Sequence, residues 1–361
     1  MLVVRIGSHN ILLKVPALLY GWGVGVRNFL YDEGMLKGYK SSIPVICIGN
    51  VAVGGTGKTP HVERVIRMLR DEYRIAVLTR GYGRSGKGPV VVSTTDDAAR
   101  VGDEPLQIKR KFPEVIVYVD GDRKRALQTL ELMPEELRPD VVVMDDGFQH
   151  RAVIPAYSIV LTAYDRPFTR DSFMPYGTLR DDPSSADRAE SIIVTHTPDD
   201  CKPIDLRMMM GELPLKDYQD VYFSRPVYGV ATPLFDTDQP SPLPTSESRV
   251  SAVAGIADPE HFFDKVRELY PETEELIVYD DHHSYDEDDL EEIRELICEQ
   301  DCFLITTEKD GMRLLSHADS LTPEERSRIL YLPIEISLSP KQERRFLERL
   351  HRAIRNNGLH L

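Results

Sequence analysis

The stretch that decides the fold reads PVICIGNVAVGGTGKTP and runs from Pro44 to Pro60. Its first part, Pro44–Asn50, is mainly apolar and predicts a buried strand. The glycine-rich segment Ala52–Pro60 follows directly, and the residues from Pro60 to Arg70 predict a helix. A strand, a glycine-rich turn and a helix in this order are the context that a phosphate-binding loop requires.

Each residue type in this turn has a chemical reason to be there. Glycines allow close backbone approach, so that successive N–H groups can point at phosphate oxygens. A lysine supplies charge for the β- and γ-phosphates, a threonine hydroxyl can ligate Mg²⁺, and the helix N-terminus adds partial positive charge. Ala52 departs from the usual pattern, which has glycine at this position. We predict ATP and Mg²⁺ as cofactors and the following binding residues: Gly54, Gly55, Thr56, Gly57, Lys58 and Thr59.

A second motif, VVVMDDGFQH, covers Val141–His150. Its four leading apolar residues predict a strand buried on both faces. An acid at the end of such a strand, beside a phosphate-binding loop, is typical of the Walker B arrangement, so Asp145 and Asp146 are candidate Mg²⁺ ligands. Neighbouring strand residues point to opposite faces, which favours a single ligand, whereas a turn at Gly147 would let both contribute. The alternative is a purely structural Asp-Asp-Gly turn.

Short apolar runs alternate with helical patterns through most of the chain. This alternation predicts an α/β fold with a doubly wound, mainly parallel sheet of the P-loop NTPase type. The stretch Asp236–Ser248 is rich in Pro, Ser, Thr and Asp, which indicates a surface loop near a domain boundary. We therefore predict an N-terminal P-loop domain over residues 1–235 and a second, smaller α/β domain over residues 236–361.

The predicted elements are short and regularly spaced. Further strands are predicted at Ile75–Thr79, Val115–Val119, Val141–Met144, Tyr157–Leu161, Ser191–Thr195, Val250–Ala254, Glu275–Tyr279 and Phe303–Thr306. Further helices are predicted at Glu104–Lys111, Lys124–Met133 and Glu287–Cys298, with two more that begin near Pro259 and Lys341.

Two polar clusters are ambiguous when taken alone. Asp103, in the segment VGDEP, precedes a predicted helix and has the features of a plain N-cap. The segment YDDHHSY, Tyr279–Tyr285, brings two acids and two histidines to a strand end. Such a group fits a metal site, a catalytic pair or a solvated loop.

Charge is distributed unevenly along the chain. The net charge is −15, which argues against nucleic acid as a partner. Up to Lys40, however, five basic residues stand against two acidic ones, so this stretch carries +3. Two explanations stay open for the amphipathic pattern there: a helix lying in a membrane interface, or an ordinary helix packed on the core. Its apolar run is too short to span a bilayer comfortably. The apolar positions are Ile11, Val15, Leu18, Leu19, Trp22, Val26 and Phe29.

Seven motifs in fixed order resemble the tetraacyldisaccharide 4′-kinase family. They are GNVAVGGTGKTP, TRGYGR, GDEP, DDGFQH, GIADPEHFF, DDHHSY and TTEKDGMRL. The resemblance implies transfer of the ATP γ-phosphate to the 4′-hydroxyl of an acylated glucosamine disaccharide 1-phosphate, in lipid A biosynthesis. It also implies a peripheral enzyme on the cytoplasmic face of the bacterial inner membrane, attached through the N-terminal helix. We expect no nucleic-acid partner and no obligate protein partner.

The resemblance also assigns roles to residues that are otherwise ambiguous. It implies that Asp103 is the general base and that His282 orients it, with His283 as the nearby alternative. Arg123 matches a family arginine near the phosphates, and Gln149 a polar residue beside the Walker B acids. Arg180 matches the arginine of a family motif. The next residue of that motif is usually glutamate, whereas this chain has Asp181. The roles of Lys309 and Asp310 stay open.

Two rival classes remain at this stage. The first is a P-loop ATPase that switches a partner or a membrane-recruited complex; the deviant Walker A type of such proteins has an early lysine where this chain has Val53. The second is a DHH-type phosphoesterase, suggested by Asp281-His282-His283. Such an enzyme needs additional N-terminal aspartate clusters for two metals and has no use for a phosphate-binding loop.

Overall fold

The structure is a computed structural model that describes residues 11–236, 241–299 and 302–357. Two compact units are present. Unit 1 comprises residues 1–78, 122–225 and 336–361, and unit 2 comprises residues 79–121 and 226–335. The predicted boundary between residues 235 and 236 stays a prediction. Arg5, one of the five N-terminal basic residues, lies outside the described residues, and so do residues 237–240 of the predicted surface loop.

The strands and helices alternate along the chain. Strands β1–β16 are Tyr39–Lys40, Val45–Asn50, Ile75–Thr79, Val90–Val91, Ile116–Val119, Val141–Asp145, Val153–Ile154, Tyr157–Ala163, Ser191–Thr195, Asp220–Tyr228, Thr232–Pro233, Val250–Ala254, Thr273–Val278, Phe303–Thr307, Ile329–Leu332 and Ile334–Leu338. Helices α1–α11 are Lys14–Asp32, Lys58–Leu69, Ala98–Val101, Asp103–Lys111, Arg123–Glu131, Pro203–Glu212, Glu260–Leu269, Glu287–Arg294, Glu308–Leu314, Pro323–Ser327 and Pro340–Asn356.

Unit 1 is built on a sheet in the order β16-β10-β9-β8-β2-β6-β3. Strand β2 lies at its centre and pairs in parallel with both β6 and β8. Every residue of β2, β6, β8 and β9 is buried, which explains why the sequences of these strands are mainly apolar. Parallel neighbours end at the same edge of a sheet, and the loops that follow β2, β6 and β8 therefore emerge together.

Unit 2 has its own sheet in the order β11-β15-β14-β12-β13. Strands β15, β14, β12 and β13 are parallel, and only the short β11 runs antiparallel to its neighbour. The core of this unit combines β12, β14 and β15 with aromatic residues of α7, Phe262 and Phe263. Unit 2 also contains the antiparallel pair of β4 and β5.

The predicted fold class is confirmed, since both units are α/β and most of the described strand pairs are parallel. Each strand predicted from an apolar run is present, with bounds that differ by no more than two residues. Helix α2 begins at Lys58 instead of the predicted Pro60, because Gly57 takes a left-handed conformation (φ 72°) that lets the helix begin within the loop. The sequence analysis missed α3, α6, α9, α10, β10, β15, β16 and four two-residue strands, β1, β4, β7 and β11.

Helix α1 is packed along one side only. Ala17 and Val24 are buried, and a Cβ atom at Gly21 would lie 2.7 Å from the ring of Phe173, so the helix approaches this ring closely. Six large apolar side chains of this helix are exposed on the other side: Val15, Leu18, Leu19, Trp22, Val26 and Phe29. In the described ranges no helix combines the length and the hydropathy that crossing a bilayer needs.

Candidate active site

The glycine-rich turn follows β2 and opens α2. Gly54 has φ 117° and Gly57 has φ 72°, values that only glycine adopts without strain. The start of the turn is fixed by backbone bonds from Val53 N to Thr178 O (2.8 Å) and from Arg180 N to Val51 O (2.9 Å). The glycine-rich turn is therefore fixed by hydrogen bonds to the segment around Thr178. It places Lys58 and Thr59 at the start of α2, as a phosphate-binding loop does.

Asn50, the last residue of β2, connects three parts of this site. Its Nδ2 donates to Thr56 Oγ1 at 2.9 Å, and its carbonyl oxygen accepts from Gln149 Nε2 at 2.5 Å. Its Oδ1 accepts from Arg180 Nη2. The sequence analysis gave Asn50 no role, although a polar residue that ends a buried strand before a glycine-rich turn was a signal to examine.

His61 supports the other end of the turn. Its Nδ1 lies 2.7 Å from Gly57 O, and its Nε2 lies 2.9 Å from Ser224 Oγ on β10. Complete burial lowers the pKa of His61 to about 4, so the imidazole is neutral at neutral pH. The hydrogen bond to Gly57 holds the left-handed residue from which α2 begins. This residue was also missed, because its partners lie far away in the sequence or on the backbone.

The two candidate metal-binding acids differ in their surroundings. Asp145 is the buried last residue of β6, paired with Ile48 of β2, one strand away from the phosphate-binding loop. Asp146 begins the following turn with φ 46° and binds Arg180 through both carboxylate oxygens. Only Asp145 therefore continues the strand, whereas Asp146 is engaged in a bidentate ion pair with an arginine.

The charge of Asp146 is set by basic groups of unit 1. Burial raises the pKa of this carboxyl, but the hydrogen bonds and charge of Arg180 and the charges of Lys58 and Arg123 outweigh burial. The pKa of Asp146 is therefore lowered, and the group stays ionised at neutral pH. Arg123 is buried at the first position of α5. Lys58 and Arg123 thus lie close enough to act on a Walker B acid.

Asp103 is the centre of a separate polar cluster in unit 2. It lies at the first position of α4 and is almost fully buried. Its Oδ2 accepts from Arg313 Nε at 3.0 Å and lies 3.1 Å from Nδ1 of His282. Its Oδ1 accepts from the backbone N–H of Glu104 at 2.8 Å. The structure therefore brings Asp103 and His282 together, 179 residues apart in the sequence.

Lys309 fixes the tautomer of His282. The ammonium group of Lys309 can only donate, and its Nζ lies 3.0 Å from Nε2 of His282. Nε2 therefore accepts, which leaves the proton on Nδ1 to be donated to Asp103. His282 is held in place by a backbone bond to Gly255 O (3.2 Å) and has φ 62°, a strained value for a non-glycine residue.

The positive charges of Lys309 and Arg313 keep Asp103 ionised. Burial alone would raise the pKa of this carboxyl, but the hydrogen bond from His282 and the charges of Lys309 and Arg313 lower the pKa to about 2. The carboxylate is thus negatively charged throughout the physiological pH range. Protonation of Asp103 at low pH would weaken these interactions.

Two further residues of this region, Asp310 and His283, make contacts of their own. Asp310 is fully buried and accepts from Arg313 Nη1 (2.9 Å), Gly255 N (3.0 Å) and Thr307 Oγ1 (2.6 Å). His283 turns away to Asp289 Oδ2 at 2.7 Å and stacks on Tyr279. His282, and not His283, therefore contacts Asp103. The sequence analysis gave Arg313 no role, because only the fold brings it to a carboxylate 210 residues away.

A glycine-rich turn with lysine and threonine at a helix start, beside a strand that ends in an acid, defines a P-loop nucleotide-binding enzyme. Comparison with known sequences narrows this class. The chain belongs to the tetraacyldisaccharide-1-P 4′-kinase family, whose pattern matches residues 9–354. It is an ATP-dependent kinase.

Relatives and a solved structure are similar over nearly the whole chain. A tetraacyldisaccharide 4′-kinase of Porphyromonas gingivalis is 44% identical over 94% of this chain and 95% of its own length. One of Parabacteroides distasonis is 40% identical, with 94% of each chain covered. The crystal structure of LpxK from Aquifex aeolicus in complex with ATP is 25% identical, with a TM-score of 0.73, and covers 94% of this chain and 97% of that one.

Substitution of Lys309 by methionine tests the electrostatics of the Asp103 cluster. Removing this positive charge favours the protonated carboxyl, so we expect the pKa of Asp103 to rise from about 2 by roughly half a unit or more. The measurement is a ¹³C NMR titration of labelled aspartate, with the signal assigned by its absence from Asp103→Asn. Lys87→Met, at an exposed lysine of the same unit, is the control. An unchanged pKa in Lys309→Met would show that Lys309 does not act on Asp103.

Proposed function

We propose that this protein transfers the γ-phosphate of ATP to the 4′-hydroxyl of a tetraacylated glucosamine disaccharide 1-phosphate, a step of lipid A biosynthesis. The observation that supports this most directly is the P-loop with Lys58 at the start of α2, in a chain of the 4′-kinase family. The sugar oxygen bonds to the γ-phosphorus and the bond to the β–γ bridging oxygen breaks, so that ADP leaves. The hydroxyl proton passes to a carboxylate of the enzyme.

Unit 1 supplies the groups that bind the transferred phosphate. The glycines of the turn leave its N–H groups accessible, and Lys58 places a positive charge at the helix start. Among the described residues, Lys58 has no ion-pair partner within 4 Å, so its positive charge is available to the phosphates. Asn50, Gln149 and Arg180 hold the loop and Asp146 in place before the nucleotide arrives. Such preorganisation stabilises the charge that develops on the phosphoryl oxygens.

The donor set beside the loop fits Mg²⁺. Thr59 and Asp145 offer a hydroxyl and a carboxylate, both hard oxygen donors, and both residues are buried. Within residues 11–236, 241–299 and 302–357 no group of three or more His, Cys, Asp or Glu forms a metal cluster. This agrees with a cation that one or two protein oxygens share with phosphates. We assign Thr59 and Asp145 as its protein ligands, with Asp146 as a supporting acid, and the cation would neutralise phosphate charge.

We assign Asp103 as the acceptor of the hydroxyl proton. The carboxylate is ionised and fixed by Arg313 and by Nδ1–H of His282. Its low pKa makes it a weak base, which suffices because the bond from the attacking oxygen to phosphorus is little formed in a loose transition state, so the hydroxyl needs to lose its proton only late in the transfer. His282 acts as a positioning residue, and Lys309 holds the tautomer in which His282 donates to Asp103.

The surroundings of the two histidines argue against a phosphoesterase. His282 has a carboxylate on one ring nitrogen and an ammonium group on the other, and His283 binds Asp289. In a two-metal site imidazole nitrogens coordinate metal ions, whereas Nε2 of His282 accepts from an ammonium group. The second candidate function is an ATPase that switches a partner. A kinase needs a lipid acceptor for the phosphate, whereas such an ATPase does not, and this difference distinguishes the two.

The exposed face of α1 fits peripheral attachment to the cytoplasmic side of the inner membrane. Leu18 is 72% exposed, Leu19 66% and Trp22 73%, an unusual run of apolar side chains in contact with water. The positions follow the i, i+3, i+4, i+7 spacing of a single helix face, and indole rings favour the headgroup region. An acylated acceptor stays in the bilayer, so an enzyme that acts on it benefits from lying at that surface.

Incubation with Mg-ATP and the purified disaccharide lipid tests the activity. We expect mass spectrometry to show one added phosphate on the lipid, and none when Mg²⁺ is chelated. Lys58→Ala should lower kcat/KM by roughly 10²-fold or more, since its charge acts on the phosphates in the transition state. Lys216→Ala, at an exposed lysine of unit 1, is the control. A folded Lys58→Ala protein with parental activity would overturn the P-loop assignment, and ATP hydrolysis with an unchanged lipid would favour the ATPase.

The pairing of Asp103 with His282 predicts non-additive kinetics. Asp103→Ala and His282→Ala should each lower kcat by about 10²-fold or more, with a smaller change in KM. The double variant should be little worse than the poorer single variant, because the two residues act as one unit. His283→Ala, which removes the neighbouring histidine, should retain kcat. Losses that multiply in the double variant would mean that the two residues act separately.

Replacing Leu18, Leu19 and Trp22 together by serine tests the attachment. We expect the triple variant to be released from anionic vesicles and to show a raised KM for vesicle-presented lipid, since the buried apolar area is lost. High salt should weaken the parent's binding only partly, because apolar contacts are not screened. The control replaces three exposed apolar residues of α6: Ile204, Met208 and Met210. Cosedimentation of the α1 variant at the level of the parent would place the attachment elsewhere.

A further inference from the structure

The loop after β8 brings an additional cation to the P-loop. Strand β8 is the parallel neighbour of β2, with Asn50 opposite Leu161, so the segments that follow the two strands emerge at the same edge of the sheet. The P-loop follows β2, and Arg166 lies three residues beyond the end of β8. The sequence analysis gave Arg166 no role.

The side chain of Arg166 lies against the glycine-rich turn. A Cβ atom at Gly54 would stand only 2.8 Å from Nη2 of Arg166, so the guanidinium occupies the space beside this glycine. Gly54 is four residues before Lys58. An arginine and a lysine thus approach the same turn from two different elements, and both are cations suited to phosphate oxygens.

The backbone on both sides of Arg166 is anchored. Tyr164 N donates to Thr195 O at 2.9 Å, and Phe168 N donates to Thr162 Oγ1 at 3.0 Å. Phe168 is 1% exposed, and Pro167 restricts the backbone between the two residues. Arg166 therefore projects from a fixed base, which reduces the entropy lost when its guanidinium binds a ligand.

The charge of Arg166 is not neutralised by the protein. Arg180 binds Asp146 and Arg170 binds Glu212, whereas within the described part of the chain Arg166 makes no hydrogen bond or ion pair. Its side chain is exposed, although the chain carries a net charge of −15 and many carboxylates. An anchored, uncompensated arginine beside a phosphate-binding loop is available for an anion that the protein itself does not supply.

We propose that Arg166 is a catalytic residue that contacts the γ-phosphate of ATP and stabilises the charge that develops on it during transfer. The inference rests on the nucleotide site of the proposed function. A guanidinium supplied in this way from the same chain acts as an arginine finger, whose removal lowers kcat much more than it weakens substrate binding. The contact requires the terminal phosphate, so ADP does not form it.

Two measurements on the full chain test this proposal. Calorimetric titration with ADP and with the non-hydrolysable β,γ-imido analogue of ATP compares the parent with Arg166→Ala, Arg166→Lys and the control Arg170→Ala, whose exposed arginine pairs with Glu212. Steady-state kinetics with the disaccharide lipid then gives kcat and KM for the same proteins. Thermal unfolding checks that each variant is folded.

We expect Arg166→Ala to lower kcat by about 10²-fold or more and to reduce affinity for the ATP analogue several-fold, with ADP affinity unchanged. Arg166→Lys should recover part of the kcat, and Arg170→Ala should behave as the parent. Parental kcat in folded Arg166→Ala would overturn the proposal, and so would equal losses of affinity for ADP and for the analogue. Failure of the parent itself to bind the analogue would instead refute the proposed nucleotide site.

Discussion

The parallel pairing of β2 with β6 and β8 is the constraint on which the nucleotide site depends. The pairing sets Ile48 opposite Asp145 and Asn50 opposite Leu161, so three strand ends lie at one edge of the sheet. A shift of one residue in either register would turn a buried side chain to the opposite face. The apolar residues of these strands, buried on both sides, prevent such a shift. The burial of ordinary valines and isoleucines thus holds the chemical groups in position.

A second constraint acts inside unit 2, where charge replaces apolar packing. Asp103 and Asp310 are both buried, and Arg313 binds both carboxylates. Removing one partner from such a group leaves a buried charge without compensation, which costs several kcal/mol. The arrangement is therefore tolerant of few substitutions. It also holds Asp103 in its ionised form, because the surrounding cations outweigh the cost of burial.

The sequence predicted those parts of the fold and site that local patterns specify. Buried strands such as Ser191–Thr195 are continuous apolar runs, and their bounds follow directly from the residues. Strand Asp220–Tyr228 was missed because it mixes buried and half-buried positions and includes Pro226. Helix Glu308–Leu314 was missed because half of its buried residues are charged, so it lacks a continuous apolar stripe. In these two elements, burial does not follow the simple apolar pattern from which strands and helices are predicted.

The site residues also divide into those that a local sequence motif specifies and those that only tertiary contacts reveal. Lys58 and Asp145 stand in motifs with a fixed spacing, so the sequence alone makes them candidates. The contacts of Asn50, His61 and Arg166 are created by the fold, and one isolated sequence gives no reason to choose these residues from among similar ones. The contact of Asp103 with His282 lies between these two cases. The motifs alone did not predict it, but the family resemblance suggested it, and the structure places the two side chains 3.1 Å apart.

The attachment of α1 to a membrane surface, as proposed above, would have a consequence for how the enzyme searches for its acceptor. Tyr20 donates to the carbonyl of Arg180, and Asn28 donates to Asp181, so the helix is bonded to the segment whose arginine binds Asp146. A body that lies on a surface along a helix bonded in this way cannot tumble. It keeps only lateral diffusion and rotation about the surface normal. Under the proposed attachment, the search for a lipid acceptor would take place in two dimensions, with the nucleotide loop kept close to the surface.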